Sequence, residues 1–323
     1  MLGDDKIQGV CQEIESRFKE LTAAEVTAEA DELRGVRGDV LYHYTSADGL
    51  LGIIQTREIW ATNVLYLNDS SELSDGAESL TSELDSTPLS AWADDDFASM
   101  ALSSYSKDAP VDHFVVSFCE NGNLLSQWRG YGASSTGYSI GFRASALFSA
   151  ANRTENNSPG ECAFRKVKYG PHQKREMMRK RIAIVNEILK PLAGELEPTD
   201  DKEQDRKDLL LNRIAASFHP TLTLMKNDAF QEEKEWRLVR TLPRPDDSML
   251  DGRVKVRSIR GKLAPYIPVS WPATTVLGLQ AVKEIYCGPS ASAELEEKAV
   301  RDLLSGQDCC RTRVIPSGIP LRA

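Results

Sequence analysis

Hydrophobic positions recur along this chain at two periods, and the alternation between them sketches a fold. From 6 to 35, Ile7, Val10, Ile14, Phe18 and Leu21 return at steps of three and four with charges between them, which predicts one amphipathic helix. It reads as a packing or partner helix and carries no chemistry of its own. At 39–44 the pattern shortens to a strand, DVLYHY. Ser46 is placed to cap a following helix, ADGLLGIIQ, whose Leu50, Leu51, Ile53 and Ile54 supply the apolar face. EIWATN predicts a second strand, and LNDSSELSDG a polar turn that starts another helix. Residues 86–98 read as loop. DHFVVSFCE at 112–120 is a clear strand, followed by NGNLLSQWRGYGASSTG, read as a turn and a short irregular segment. YSIGFRA at 138–144 alternates, with Tyr138, Ile140 and Phe142 on one face.

A polar loop at 152–161 leads into the strand FRKVKYG. Two helical patterns then occupy residues 172–225, through Met177, Ile182, Val185, Ile188 and Leu189, and through Leu210, Ile214, Phe218 and Leu222. The charged stretch AGELEPTDDKEQDRKD separates them. Strands return in KEWRLVRTL, RVKVRSI, PYIPV, VKEIYCGP and RTRVIP. A last helix over 292–304 is started by Ser292 and faced by Leu295, Ala299 and Leu303. Strands flanked and interrupted by helices indicate the α+β class. The organisation expected is an N-terminal helical segment over 1–38, then one domain over 39–323 with a helical insertion at about 172–225.

Composition narrows the function classes. With 41% hydrophobic residues among 323, the chain can bury a sizeable core. A net charge of −9 argues against broad phosphate-backbone binding but not against a local basic groove. No apolar run reaches the ~18 residues of a membrane helix. The opening MLGDDKIQGVCQEIES lacks the apolar core of a secretory leader. Six cysteines without a CxxC pair read as free thiols of a reducing compartment. The expectation is a cytoplasmic protein with no membrane contact. The four histidines, His43, His113, His172 and His219, lack metal-ligand spacing, so no metal is expected. There is no P-loop and no GxSxG elbow. The glycines of RGYGASSTG precede a strand rather than a helix, which argues against a doubly wound dinucleotide fold.

Three segments carry candidate chemistry. YHYTS at 42–46 sets His43 at the end of a strand, where imidazole can hydrogen-bond a ribose hydroxyl, with Tyr44 and Thr45 beside it. FVVSFCENGNLLSQWRGYG at 114–132 brings Ser117, Trp128, Arg129 and Tyr131 together; rings can stack on a heterocycle and a guanidinium can grip a phosphate. FQEEKEWRLV at 230–239 crowds Glu232, Glu233 and Glu235. In extended chain Glu233 and Glu235 share a face, and mutual repulsion would raise the pKa of one of them. Such a pair suits general-base work or stabilisation of an oxocarbenium-like centre. Each segment also has a structural reading, as a satisfied core histidine, a half-buried turn and a solvated acidic strand start.

Taken together, LYHYTSADGLLGIIQTREIWATN, YLNDSSEL, SFCENGNLLSQWRGYG with GYSIGF, and AFQEEKEWRLV resemble a widespread bacterial family known only as a domain of unknown function, over about residues 40–290. More distantly, the order of His43, Ser117 and Glu235 resembles the His, Ser and Glu motifs of poly-ADP-ribose-polymerase-like and DNA-modifying ADP-ribosyltransferases. Cys119 stands where that family has its second Ser, and SQWRGYG has no counterpart in it. The resemblance implies an ADP-ribosyltransferase-like split sheet and NAD as substrate. His43 would hold the NAD ribose, the Tyr44 backbone the carboxamide, and Thr45 the loop. Trp128 or Tyr131 would stack on nicotinamide. Glu235 would stabilise the oxocarbenium, and Glu233 would orient the acceptor. The implied activity is ADP-ribosyl transfer or NAD hydrolysis, in a toxin or phage-defence setting, with a nucleic acid, protein or small-molecule acceptor and a regulatory or antitoxin partner. Two other readings stand beside it. One is a non-catalytic nucleotide- or partner-binding module, favoured if Glu235 is salt-bridged away from His43. The other is a metal-dependent hydrolase or nuclease using Asp69, Glu72, Glu233 and Glu235.

Overall fold

The computed structural model describes residues 3–34, 39–67, 71–89, 97–103, 111–131, 137–152, 162–196, 198–243, 252–259, 261–307 and 309–320. Among them the strands are β1 (Val40–Thr45), β2 (Glu58–Asn63), β3 (Val111–Cys119), β4 (Tyr138–Arg143), β5 (Cys162–Lys166), β6 (Glu235–Pro243), β7 (Lys255–Ile259), β8 (Lys262–Ser270), β9 (Val282–Cys287) and β10 (Arg313–Pro316). The helices are α1 (Asp4–Arg34), α2 (Ala47–Thr56), α3 (Ser71–Ser86), α4 (Phe97–Ser103), α5 (Leu125–Tyr131), α6 (Ala144–Asn152), α7 (Pro171–Leu189), α8 (Asp201–Ser217), α9 (His219–Leu222) and α10 (Ala293–Ser305). The fold is mixed helix and sheet, and no described helix is long and apolar enough to cross a membrane.

The described strands join in one ten-stranded mixed sheet that divides at β3. One edge of β3 pairs with β6 along its whole length, from Val111 opposite Pro243 to Cys119 opposite Glu235. Its other edge is shared. β1 meets it at Tyr42 opposite Cys119, and β2 meets it at Thr62 and Asn63, opposite Val115 and Phe114. Across Val116, Ser117 and Phe118 that edge has no ladder partner, and the sheet forks there. One branch continues β1-β4-β9-β10 and the other β2-β8-β7, while β5 lies outside β6. The β9–β10 pair is parallel; the other ladders are antiparallel.

Directly opposed residues share a face, so register places every side chain. Leu41, Ile140, Phe142, Phe114, Val116, Phe118, Trp236 and Leu238 form the core on one side, closed by Leu50, Ile53 and Ile54 of α2 and Leu147 of α6. On the other side Val115 and Val239 lie under a layer built from α1, α3, α4, α7 and α8. The 172–225 helices belong to this layer. Burying each such aliphatic side chain contributes roughly 1.5–3 kcal/mol.

Local signals explain how α2 is set between the two branches. The Ser46 side chain accepts from the Gly49 N–H at 3.2 Å, a cap worth about 1 kcal/mol. The helix stops at Arg57, left-handed at φ 54°, whose N–H returns to the Ile53 carbonyl. Three expectations need correction. The segment after β3 is not irregular, because Leu125–Tyr131 close a turn of helix around the buried Trp128. The 201–217 helix starts earlier than its apolar pattern, since Asp200 caps it by accepting from the Glu203 N–H. In α10 the buried face runs through Val300 and Leu304, leaving Leu295 69% exposed. There the period was right and the phase wrong, because two i, i+4 apolar pairs compete.

Candidate functional site at the sheet fork

Register separates the residues that were expected to meet. Glu235 is opposite Cys119, and Cys119 opposite Tyr42, so all three face the α7 side of the sheet. His43 is opposite Ile140 in the β1–β4 ladder, which puts its Cβ on the α2 side. Two strand spacings, about 10 Å, separate the two backbones. His43 and Glu235 therefore start from opposite faces of the sheet, two strands apart.

The Glu235 carboxylate is 1% exposed and closed in by cations. Arg237 Nε donates to its Oε1 at 2.7 Å, and Lys226 Nζ to its Oε2 at 2.8 Å. Lys226 also donates to Glu233 Oε2 at 2.7 Å, so its ammonium sits between the two carboxylates. Glu233 and Glu235 do converge, but not as neighbours on a strand. Glu233 ends a 3-10 turn, and Lys234, left-handed at φ 43°, reverses the chain into β6. Lys226 is placed by the Lys168–Met225 bridge, with Lys226 N–H donating to the Lys168 carbonyl. Burial alone would raise the Glu235 carboxyl, but Arg237 and Lys226 outweigh it and hold it well below the usual carboxylate range. The expected upward shift from like-charge repulsion is thus reversed for Glu235. Burial, followed by the Glu235 and Glu233 charges, pushes the neighbouring Cys119 thiol well up. An ammonium between the carboxylates also removes the seat that a divalent cation would need. Asp69 lies outside the described residues, and among those described no group of three His, Cys, Asp or Glu is placed to hold a metal.

The motif aromatics are built into the wall. Trp128 is 4% exposed, meets Tyr44 edge-on at 4.8 Å, and donates from Nε1 to Asn123 Oδ1 at 2.9 Å. A Cβ on Gly288 would stand 3.0 Å from its ring, so glycine there lets the ring lie against backbone. Trp128 is not open to stack on a ligand, which corrects that expectation. Tyr44 donates to the Asn121 carbonyl and accepts from the Leu124 N–H, pinning the turn after β3. Tyr42 donates to Glu284 Oε1 at 2.5 Å and fills the space a side chain on Gly122 would need. Thr45 is buried at the start of α2. Arg129 is exposed on α5; the Tyr131 side chain lies outside the described set.

What remains partly open is the fork. The His43 Nδ1 lies 3.0 Å from the Ser117 carbonyl and the ring 5.7 Å from that of Phe118. A carbonyl only accepts, so Nδ1 carries the proton and neutral imidazole keeps Nε2 as an acceptor. Burial pushes the His43 pKa down to about 4, with the Arg257 charge adding to the fall against the Ser117 carbonyl. Ser117 is half-buried on the α7 side. Across the fork, Trp60 and Tyr266 face each other at 4.5 Å with their planes 32° apart. The Arg257 guanidinium lies 5.4 Å from the Trp60 ring and donates to Thr62 Oγ1 at 2.6 Å. Thr62 is opposite both Val115 and Tyr266, so this group faces the α7 side like Ser117. Trp60, Tyr266 and Arg257 were missed from the sequence. Their signal was the alternation in EIWATN, whose second face ends in Thr62 rather than in solvent-directed charge.

A hollow of about 360 Å³ lies away from the fork, between α3 and the start of α7, lined by residues including Glu78, Lys174, Arg175 and Asp228. Its charges offset one another, with Lys174 paired to Asp228 at 3.6 Å. It shares no lining residue with the fork.

A family model described as "Protein of unknown function (DUF2971)" matches residues 127–238. That stretch runs from α5 into β6 and includes Trp128, Arg129, Glu233 and Glu235 but not β1. No curated protein and no solved structure matches the chain.

Proposed function

We propose that the chain is a nucleotide-binding module whose ligand lies at the fork, against His43, Trp60, Tyr266 and Arg257. The observation that carries the reading is the half-buried Arg257 guanidinium, held 5.4 Å from the Trp60 ring and 5.8 Å from the Tyr266 ring beside the gap in the sheet. A heterocycle takes an aromatic face, a phosphate takes a guanidinium, and a ribose hydroxyl takes a neutral imidazole nitrogen. Trp60, Tyr266 and Arg257 supply the first two on the α7 side, and His43, rooted on the α2 side, reaches the unpaired edge of β3 at the Ser117 carbonyl. NAD, the ligand that the sequence resemblance implies, combines these parts and is the first to test, with ADP-ribose and ATP as comparators.

Cleavage of NAD is the second reading. One observation favours it: Ser117 and Glu235 are diagonal neighbours on the same face, since Ser117 opposes Arg237 and Cys119 opposes Glu235. It requires Glu235 to leave its seat between Lys226 and Arg237 when ligand binds. ADP-ribosyl transfer to an acceptor, a toxin or defence role and control by an antitoxin partner belong to this second reading.

Calorimetric titration separates the two. Saturable nucleotide binding, weakened at least tenfold by Arg257→Met and by Trp60→Ala with the fold intact, is the expected result. Absence of binding, or an Arg257→Met protein that binds as well as wild type, would end the first reading. Nicotinamide release that is lost in Glu235→Gln without loss of binding would establish the second.

A further inference from the structure

The hollow between α3 and the start of α7 holds opposite charges that the fold brings to one space without joining all of them. Glu78 and Ser82 come from α3, Lys174 and Arg175 from the start of α7, and Asn227 and Asp228 from the turn that leads to Glu233. Asp228 Oδ1 is engaged, accepting from the Gly170 N–H at 2.6 Å. Lys174 Nζ stands 3.6 Å from the same oxygen, an ion pair too long for a hydrogen bond. The Lys174 side chain is only 9% exposed, yet its ammonium donates no hydrogen bond among the described residues. Arg175 and Glu78 line the same space, and among the described residues neither has an ion-pair partner. Asn227 Oδ1 accepts from the Ala229 N–H at 3.0 Å, which leaves its Nδ2 as a donor. Gly170 precedes α7 without a side-chain cap, so the positive end of the helix dipole lies on the side of Lys174 and Arg175. At about 360 Å³ the hollow falls within the size of ordinary small-ligand sites, about 300–1,000 Å³.

From this arrangement we infer that the hollow binds a small zwitterion, a free α-amino acid with a polar side chain. Its carboxylate lies at Lys174 and Arg175, and its ammonium at Glu78. A plain anion would also meet Glu78 and Asp228, and a plain cation would also meet Lys174 and Arg175, so half of the lining repels either. A zwitterion is attracted by both halves. The Ser82 hydroxyl and the Asn227 Nδ2 then remain for an amide or hydroxyl on the ligand side chain. Bound ligand would tie α3, α7 and the 228–233 turn together. The hollow is separate from the fork, and the inference does not depend on the nucleotide reading.

Calorimetric titration of the full chain with L-glutamine is the test. Glutarate and putrescine, each with one sign of charge, and L-leucine, with an apolar side chain, are the controls. Saturable binding of L-glutamine with a Kd of about 1 mM or tighter is expected, at least fivefold tighter than any control. Arg175→Ala and Glu78→Gln change exposed side chains, so both proteins should melt as wild type does without ligand. Each should bind L-glutamine at least fivefold more weakly. No saturable binding of L-glutamine, L-asparagine or L-serine would overturn the inference. Glutarate, putrescine or L-leucine binding as tightly as L-glutamine would overturn it too. Affinity unchanged in either variant would place the ligand elsewhere, with the same consequence.

Discussion

Two polar regions meet at β3, and they differ in how completely their charges are closed off. At the start of β6, Glu235 is enclosed by Arg237 and Lys226, with Glu233 completing a balanced set of two anions and two cations. At the fork, His43 and Arg257 keep part of their surface exposed and stand beside a half-buried Trp60. Buried charge that is already balanced has little to offer a ligand, whereas a neutral imidazole and a guanidinium that solvent reaches at a gap in the sheet can exchange water for one. The contrast moves the candidate site away from the acidic motif and onto the fork.

The largest effect expected comes from breaking the closed region. Glu235→Gln removes one partner from a buried ionic set and should cost about 3–5 kcal/mol of stability in urea unfolding, with nucleotide affinity unchanged. A stable variant that loses affinity would reverse the assignment of the two regions.

Acid should act next. Burial holds His113 at about 3 and His219 at about 4, with the His219 charge adding to the shift of His113, against 6.5 in an unfolded chain. Below 6.5 the unfolded state binds more protons, so this stability is present above that pH and is lost as pH falls towards 4. About 2 kcal/mol should disappear between pH 6.5 and 5.5 from these two rings together. His43, also near 4, stays neutral over that interval, so binding should hold where stability is already falling. A flat stability profile from pH 7 to 5 would remove this account of the buried imidazoles.

Arg257→Met should cost about 1.4 kcal/mol or more of binding, a tenfold change, and far less in stability. The smallest effect is expected at Arg129→Ala, below about 0.5 kcal/mol in stability and within threefold in affinity, because this side chain is exposed on α5. A tenfold loss there would extend the site across the SQWRGYG segment.

The strands and most helices were legible because each is written in a local period. Met177, Ile182 and Val185, for instance, could only be one buried helical stripe. The position of His43 at a strand end and the cap at Ser46 were legible for the same reason. The fork was not, since it depends on β3 accepting β1, β2 and β6, three pairings between distant segments. The neutralisation of Glu235 was hidden too: Lys226 lies nine residues before it and reaches it only through the turn at Lys234. Trp128 read as a binding ring because nothing local reveals that Gly288, 160 residues later, lets backbone close over it.

The most direct measurement is the crystal structure of the full chain grown with ADP-ribose or NAD. Ligand density over Trp60 and Tyr266, with phosphate at Arg257 and ribose at His43, is the result expected, with the Lys226–Glu235–Arg237 contacts intact. Density seated instead against a freed Glu235 carboxylate would contradict it.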